Sequence, residues 1–460
     1  MALATSNRAK IRYALEAIFG TPPATLSNEL RITGESLAYS IKTDTSKEIR
    51  SDRQITDQIL VGADASGDIN FELSYKEYDK FFESALQSAW LGMNDVTGIT
   101  ATITLANTLT ASAGTPFAGI VAGQKVRFSG WATVANNAEL TVVTASPTVL
   151  TFAASALTNE VGVTVSFTSY GKTTLSVTTT LGTTLTAASG APFANAVAGQ
   201  NFLITGMPTP SNNKVVKIVS KTSSLVVVCA AGTFANETGA TTTLSGSRLT
   251  NGTTERSWSI ERAFEDIVQF FVYRGMSLSK MSLSFASGAI VTGMFGFLGK
   301  DAARGVVTAL AASTASQAYD VTNAVSGVGN VLENGAVLAG TFIKSLKFDL
   351  DNKLRARDAI GVLGAVSIGS GACEVKGDME IYLADGTLYD KMAANTASSL
   401  TWTVQDTALN GYAFTLPKLK YSDAKVQAGG LDQDVMLSMP FTALMDATTG
   451  KTIIIDRFGA

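Results

Sequence analysis

Over one stretch the chain repeats itself. Residues 108–130 read TLTASAGTPFAGIVAGQKVRFSG and residues 184–206 read TLTAASGAPFANAVAGQNFLITG, an offset of 76 residues. That offset carries Pro116 onto Pro192, Phe117 onto Phe193, Gln124 onto Gln200, and Asn136-Asn137 onto Asn212-Asn213. Past Ala154 and Ala230 it becomes 77, so that Asn159-Glu160 meets Asn236-Glu237. A fixed period of this kind means that one folding unit is used again. Runs such as LTVVTASPTVLTF and VVKIVSKTSSLVVV, broken by Gly, Asn and Ser-Pro turns, read as short strands. The expectation is two tandem all-β modules, Ig-like or barrel, each of roughly 75 residues and just large enough to fold without disulfides.

A fainter duplication surrounds the modules. GESLAYSIKT (34–43) resembles KSLKFDLDNK (344–353), each an alternating strand with a Ser-Leu pair. A long charged, glycine-punctuated stretch follows in both places, then a strand opening on Gly-Asp (GDINFELSY at 67–75, GDMEIYLAD at 377–385). Next comes a helical segment starting Tyr-Asp-Lys (78–90 and 389–397), then a strand holding Trp258 or Trp402, then a terminal hairpin. The order strand, long loop, strand, helix, strand, hairpin is used twice. In the first use Tyr78, Phe81, Phe82, Leu86 and Trp90 fall largely on one helical stripe, which suits a helix packed on a sheet.

Composition removes most chemistry. Histidine is absent, which takes away the commonest general base and metal ligand. No cofactor and no metal are expected. A net charge of -3 and the absence of any Lys/Arg cluster argue against gripping nucleic acid. Cys229 and Cys373 stand far apart in strand-like contexts and read as small buried residues. No secretory signal and no apolar run of membrane-spanning length is evident. Asp64, Asp68 and Glu72 are the nearest approach to a carboxylate constellation, and beside a Gly turn they read as strand-face solubilisers. Charged residues are only 16% of the chain, a level that an assembled protein tolerates better than a free one. Exposed sheet edges aggregate unless neighbours close them, so a subunit that pairs with copies of itself is the natural reading.

The segments SNRAKIRYALEAIFGTPP, ELRITGESLAYSIKTDTSKEIRSDRQITDQILVGADASGDINFELSY, MSLSFASGAIVTGMFGFLGK and LRARDAIGVLGAVSIGSGACEVKGDMEIYLADGTLYDK together resemble the tail tube proteins of siphophages, over about residues 1–95 and 251–460. The resemblance does not cover the tandem modules, which read as decoration. It implies a mainly β fold: two tail-tube β-sandwich or barrel units, each with a flanking helix, plus the two modules. The domain map is then 1–95 with 251–305 for the first unit, 96–170 and 171–250 for the modules, 306–340 for a linker, and 341–460 for the second unit.

The resemblance further implies a structural virion protein, not an enzyme. Its inner sheets would join those of sister molecules around a lumen, in rings stacked about the tape measure protein, with the tail terminator and distal tail proteins at the ends. DNA would transit without specific binding, no membrane would be involved, and assembly would occur in the host bacterial cytoplasm. Where most members put six single-copy subunits in a ring, a duplicated chain should close as a homotrimer with pseudo-sixfold symmetry. The family's ring-stacking parts map to residues 44–66, 351–371 and the arm 1–30. There the alternating charges Lys47, Glu48, Arg50, Asp52, Arg53 and Asp57, and Asp351, Lys353, Arg355, Arg357 and Asp358, are candidate subunit-interface residues. The rival reading is a cell-surface adhesin or carbohydrate-binding β protein, which should show clustered aromatics in the modules; they carry a single Trp, Trp131.

Overall fold

The computed structural model describes residues 4–24, 27–169, 171–310, 313–324, 328–329, 331–337 and 342–459. It is mainly β with two short α-helices, α1 (Asp79–Ala85) and α2 (Thr387–Ala393). The chain divides into two compact units, one of Met1–Ser88, Asn251–Trp402 and Thr415–Ile453, the other of Ala89–Thr250, Thr403–Phe414 and Ile454–Ala460.

The first unit is organised by one antiparallel sheet. Its strands are β1 (Ala38–Thr45), β2 (Gln58–Glu72), β3 (Gln269–Ala286), β4 (Thr292–Gly299), β5 (Ile343–Asp351), β6 (Glu374–Tyr382), β7 (Gly411–Tyr421), β8 (Lys425–Ala428) and β9 (Val435–Ala443). Hydrogen-bonded neighbours run β1, β2, β4, β3, β5, β6, β9, and then the end of β7 continued by β8. The first four positions come from the first half of the duplication and the last four from the second.

Register makes the equivalence quantitative. Ile69 and Phe71 on β2 face Phe295 and Gly293 on β4, while Met379 and Ile381 on β6 face Met439 and Leu437 on β9, an offset of 310 residues along the β2/β6 pair. The Ser-Leu pairs seen in the sequence are not equivalent, however. The Ser36 amide bonds the Asp68 carbonyl, whereas it is Lys347 that faces Asp378, so the true correspondence is shifted by two residues. A shift of two keeps every side chain on its own face, which is why the alternation was legible and the alignment was not.

In the first half α1 lies on the apolar face of this sheet. Phe71 stacks on Phe295 at 4.5 Å between ring centroids, and Tyr78, Phe81 and Phe82 pack around them at 4.1–5.8 Å. Phe81 also meets Tyr13 and Trp258, which belong to a second layer built from Ala9–Leu15 paired with Trp258–Phe264. Strand β3 spans both layers: Gln269–Met276 pairs with Trp258–Phe264, and Ser277–Ala286 with β4 and β5. The helix is shorter than the stripe 78–90 suggests. Gln87 adopts a positive φ of 48°, which closes α1 two residues earlier, at Ala85. Asp301–Gly305 pairs with β3, and short strands occur within 306–340 at Ser313–Thr314 and Leu332–Glu333.

The two modules keep the repeat in three dimensions. Val96–Thr104, Thr108–Ala111, Lys125–Ser129 and Glu160–Thr168 recur as Lys172–Thr180, Thr184–Ala187, Asn201–Thr205 and Glu237–Ser245. The second copy is a closed six-stranded barrel; in the first, the counterpart of Val215–Lys221 is split into Glu139–Thr141 and Thr144–Ala145, leaving a seven-stranded sheet. Among the described residues their strands pair only with one another.

The repeated polar residues are structural. Asn136 and Asn212 are wholly buried. Asn136 exchanges hydrogen bonds with the backbone of Thr158 (2.8 and 2.9 Å) and donates to Glu160 (3.1 Å); Asn212 does the same with Ala235 (2.9 and 3.0 Å) and Glu237 (3.0 Å). Asn137 and Asn213 likewise clasp both backbone groups of Trp131 and Met207. A buried amide so paired fixes a loop that no hydrophobic contact would hold.

Candidate functional site

The two end strands of the eight-position sheet are open. Strand β1 bonds β2 on one side, and all eight of its residues are exposed; β8 bonds β9 on one side, and all four of its residues are exposed. Among the described residues no strand covers the outer edge of either. Both edges carry apolar side chains, Tyr39 and Ile41 on β1 and Val426 on β8. Long bare edges of this kind are templates for another chain. Beside β8 lies an open hollow lined by Leu383, Tyr389, Ala424 and Val426.

The sheet has two unlike faces. One is the core, with Ile69, Phe71, Met281, Leu283, Phe348, Leu350, Met379 and Met439 all buried. On the other, none of the charged side chains is buried. By strand alternation it holds Asp64, Asp68 and Glu72 from the first half and Asp349, Asp351, Glu374, Asp378 and Glu380 from the second, against Lys42, Lys280, Lys347, Lys376, Lys420 and Lys425. Lys344 and Lys353 add to these lysines by pairing with Glu380 (3.5 Å) and Glu374 (2.7 Å), so carboxylates and lysines nearly balance on this face.

Several of these charges pair across strands, and the pairing repeats with the duplication. Lys42 reaches Asp64 at 3.0 Å, and at the equivalent position Lys353 reaches Glu374 at 2.7 Å. Hydrogen bonds from Lys353 and then Lys376 hold the Glu374 carboxyl down at about 2, and the Asp64 carboxylate raises Lys42.

Of the candidate interface charges, Lys47, Glu48, Arg50, Asp52, Arg53 and Asp57 lie in the loop between β1 and β2, and all are exposed. Some are already engaged within their own loop: Arg50 bonds Asp52 through Nε (3.0 Å) and Nη2 (2.7 Å), and Glu48 accepts from Thr56 (3.1 Å). In the second segment Lys353 also pairs with Asp351 (3.1 Å) at the end of β5, Arg355–Arg357 forms a short hairpin with Ser367–Gly369 in which Arg357 donates to Ser367 (3.4 Å), and Arg355 and Asp358 are exposed. Sequence reasoning missed the apolar members of these loops. Ile49, Ile55 and Ile360 are among the most exposed large side chains of the chain. Their signal was an isoleucine in the middle of a charged loop, where solvation alone would not place one.

Of the arm 1–30, Ala9–Leu15 and Ser27–Leu30 are strands within the first unit, and Glu16 is tied down by hydrogen bonds from Gly20, Ser257, Ser259 and Gly275. Residues 1–3, 25 and 26 lie outside the described residues.

Among the described residues the two cysteines are not activated for chemistry. Burial pushes the thiols of Cys229 and Cys373 up to about 12 and about 11. Such thiols are poor nucleophiles. Among the described residues no group of Cys, Asp and Glu is placed to hold a metal ion, and no helix is long and apolar enough to cross a membrane. Trp131 is buried in the core of its module, so it offers no platform for a sugar ring.

No curated protein matches the chain. A family model described as "Phage tail tube protein" does, over residues 6–220 and 222–443, which takes in both halves of the duplicated sheet. With that match over nearly its whole length, the chain belongs to the phage tail tube protein family and is a structural component of the virion tail.

Proposed function

We propose that this chain is the repeating subunit of the tube wall, that three copies close a ring with pseudo-sixfold symmetry, and that stacked rings enclose the lumen through which DNA is ejected. The open edges of β1 and β8 support closure: each chain supplies eight strand positions made of two equivalent sets, and both ends of the run lack a neighbour. A ring removes both edges at once.

The polar face is then the lumen. With its carboxylates and lysines nearly balanced, it lacks the basic excess that would hold phosphates and would let DNA slide. The tape measure protein would occupy this space during assembly in the host cytoplasm, and the tail terminator and distal tail proteins would cap the ends. The tail would be sheathless, as in siphophages.

Ring stacking falls to the segments 44–66 and 351–371, of which 46–57 is the loop between β1 and β2, and Arg355–Arg357 with Ser367–Gly369 forms a short hairpin. Exposed ion pairs from Lys47, Glu48, Arg50, Asp52, Arg53 and Asp57, or from Lys353, Arg355, Arg357 and Asp358, contribute about 0–1 kcal/mol each and set register. Burying Ile49, Ile55 or Ile360 would contribute about 1.5–3 kcal/mol each, so the apolar tips carry the larger share. The modules, whose strands among the described residues pair only with one another, are read as decoration.

Negative-stain microscopy of the purified chain tests the proposal. Rings or long hollow tubes are expected, and also from a variant lacking residues 96–245, whose flanking segments already meet through the bond from Met93 N–H to Gly246 O (3.0 Å). Monodisperse monomers at high concentration under all conditions would refute it.

A further inference from the structure

The duplication places a finished copy of the missing joint inside the chain. Where the first half meets the second, β3 and β5 form an antiparallel ladder with Lys280 opposite Asp351, Ser282 opposite Asp349 and Ser284 opposite Lys347. Strand β3 is the last position of its half and β5 the first of the next. Their equivalents, β8 and β1, are the two open edges.

Register converts one joint into the other. Leu283 faces Gly293 as Val426 faces Leu437, so β3 maps onto β7/β8 with Ser282 at Lys425. Asp349 faces Lys376 as Ala38 faces Ser66, so β5 maps onto β1 with Asp349 at Ala38. Building on the ring reading above, we propose that the ring closes by repeating the β3–β5 register between molecules: Lys425 of one copy stands opposite Ala38 of the next, with Ala424 opposite Tyr39 and Asp423 opposite Ser40.

Burial at the two places supports this independently of the pairing. Inside the chain Leu283 and Leu350, on the two strands of the joint, are 0% and 1% exposed; their equivalents Val426 and Tyr39 stand 48% and 41% exposed. Apolar side chains that the formed joint buries are thus bare where the joint has yet to form. The hollow lined by Leu383, Tyr389 and Val426 sits where the incoming Tyr39 ring would lodge. The ladder is short, because the Leu37 carbonyl, next along the edge, already accepts from Arg262 Nη2 (2.7 Å) and the Tyr273 hydroxyl (3.0 Å). That contact pins β1 in place at the edge it presents.

Disulfide trapping reads the register. The bonds from Asn352 N–H to Ser279 O and from Ser287 N–H to Lys344 O put the hydrogen-bonded pairs of the internal joint at odd positions of β3, so Ser282 and Asp349 form a non-hydrogen-bonded pair. Such pairs have Cα atoms about 4.5 Å apart, within disulfide reach. The double variant Ala38→Cys/Lys425→Cys, assembled and oxidised, should give covalent dimers and trimers and nothing larger on a non-reducing gel. Pairs shifted by two, Ser36→Cys/Lys425→Cys and Ser40→Cys/Lys425→Cys, place the sulfurs on diagonal neighbours about 7–8 Å apart and should link about tenfold more slowly. Ser282→Cys/Asp349→Cys should close within one chain whether or not rings form, and it reports that the sheet itself is folded.

Tubes that form but link best at a shifted pair, or not at all, would overturn the register while leaving the ring standing. Absence of rings from the parent chain would remove the ring reading and this proposal with it. If the cysteine variants do not assemble, hydrogen exchange of the parent chain reads the same joint: residues 38–41 and 422–425 protected in tubes and not in free chains supports it, and equal exchange in both contradicts it.

Discussion

The two halves of the sheet share a strand order and differ in how they hold their helices. Both helical segments open on Tyr-Asp-Lys, yet Tyr78 is 1% exposed and Tyr389 is 43% exposed. In the first half Phe81 and Phe82 follow and enter a cluster with Phe71 and Phe295; in the second Met392 and Ala393 stand in their places, and Leu388 is the only residue of α2 that is buried. Residues 251–258 also run along α1, with Gly252 bonding Leu86, Arg256 bonding Glu83 and Trp258 bonding Ser84. Register and strand alternation survived duplication because each strand must match its neighbour. The helix was free to diverge, since its fit depends on a few aromatic contacts.

The comparison can be broken by mutation. Phe81→Ala should destabilise the chain by about 3–5 kcal/mol, the usual cost of emptying a buried aromatic site, while Met392→Ala should cost less than about 2 kcal/mol. Equal losses in chemical denaturation would show α2 to be as firmly anchored as α1. Next in size, Asn136→Ala and Asn212→Ala should each cost about 1–3 kcal/mol, because each strands buried backbone groups. A large difference between them would mean that the open and closed modules depend on the clasp unequally. Tyr78→Phe deletes the hydrogen bond to the Arg31 carbonyl (3.0 Å) and should cost about 1 kcal/mol, whereas Tyr389→Phe should stay within about 0.5 kcal/mol.

The smallest effect is electrostatic. Lys353 and Lys376 hold Glu374 at about 2, below its value of about 4.3 in an unfolded chain. Its contribution is therefore complete above the unfolded value and fades as pH falls through about 2. Because the pair lies at the surface, where solvent screens it, the change will be small, and Glu374→Gln should flatten the stability profile slightly in that window alone. A profile unchanged by the substitution would show that solvent screens the pair entirely.

Much of this was legible in the sequence. The offset of 76 residues, changing to 77, is the offset of the strands themselves, since inserted residues fall in turns and ladders do not tolerate slips. The second duplication was legible as order but not as alignment, because the Ser-Leu pairs at 36–37 and 345–346 share a face without sharing a position. The strand Asp301–Gly305 was invisible, its Ala and Gly giving no alternation to read. At the candidate interface, charge drew the eye to Arg50 and Asp52, which satisfy one another, and away from Ile49 and Ile55 beside them. Tyr39 and Val426 could be seen only once their internal counterparts, Leu350 and Leu283, were known to be covered.

The most direct test is the number of chains in one ring, counted in an averaged cross-section of the tube by electron cryomicroscopy. Three chains are predicted, each giving eight strand positions to a continuous wall, with β8 of one copy seated against β1 of the next. Six chains to a ring, or a wall in which β1 and β8 remain uncovered, would contradict the account.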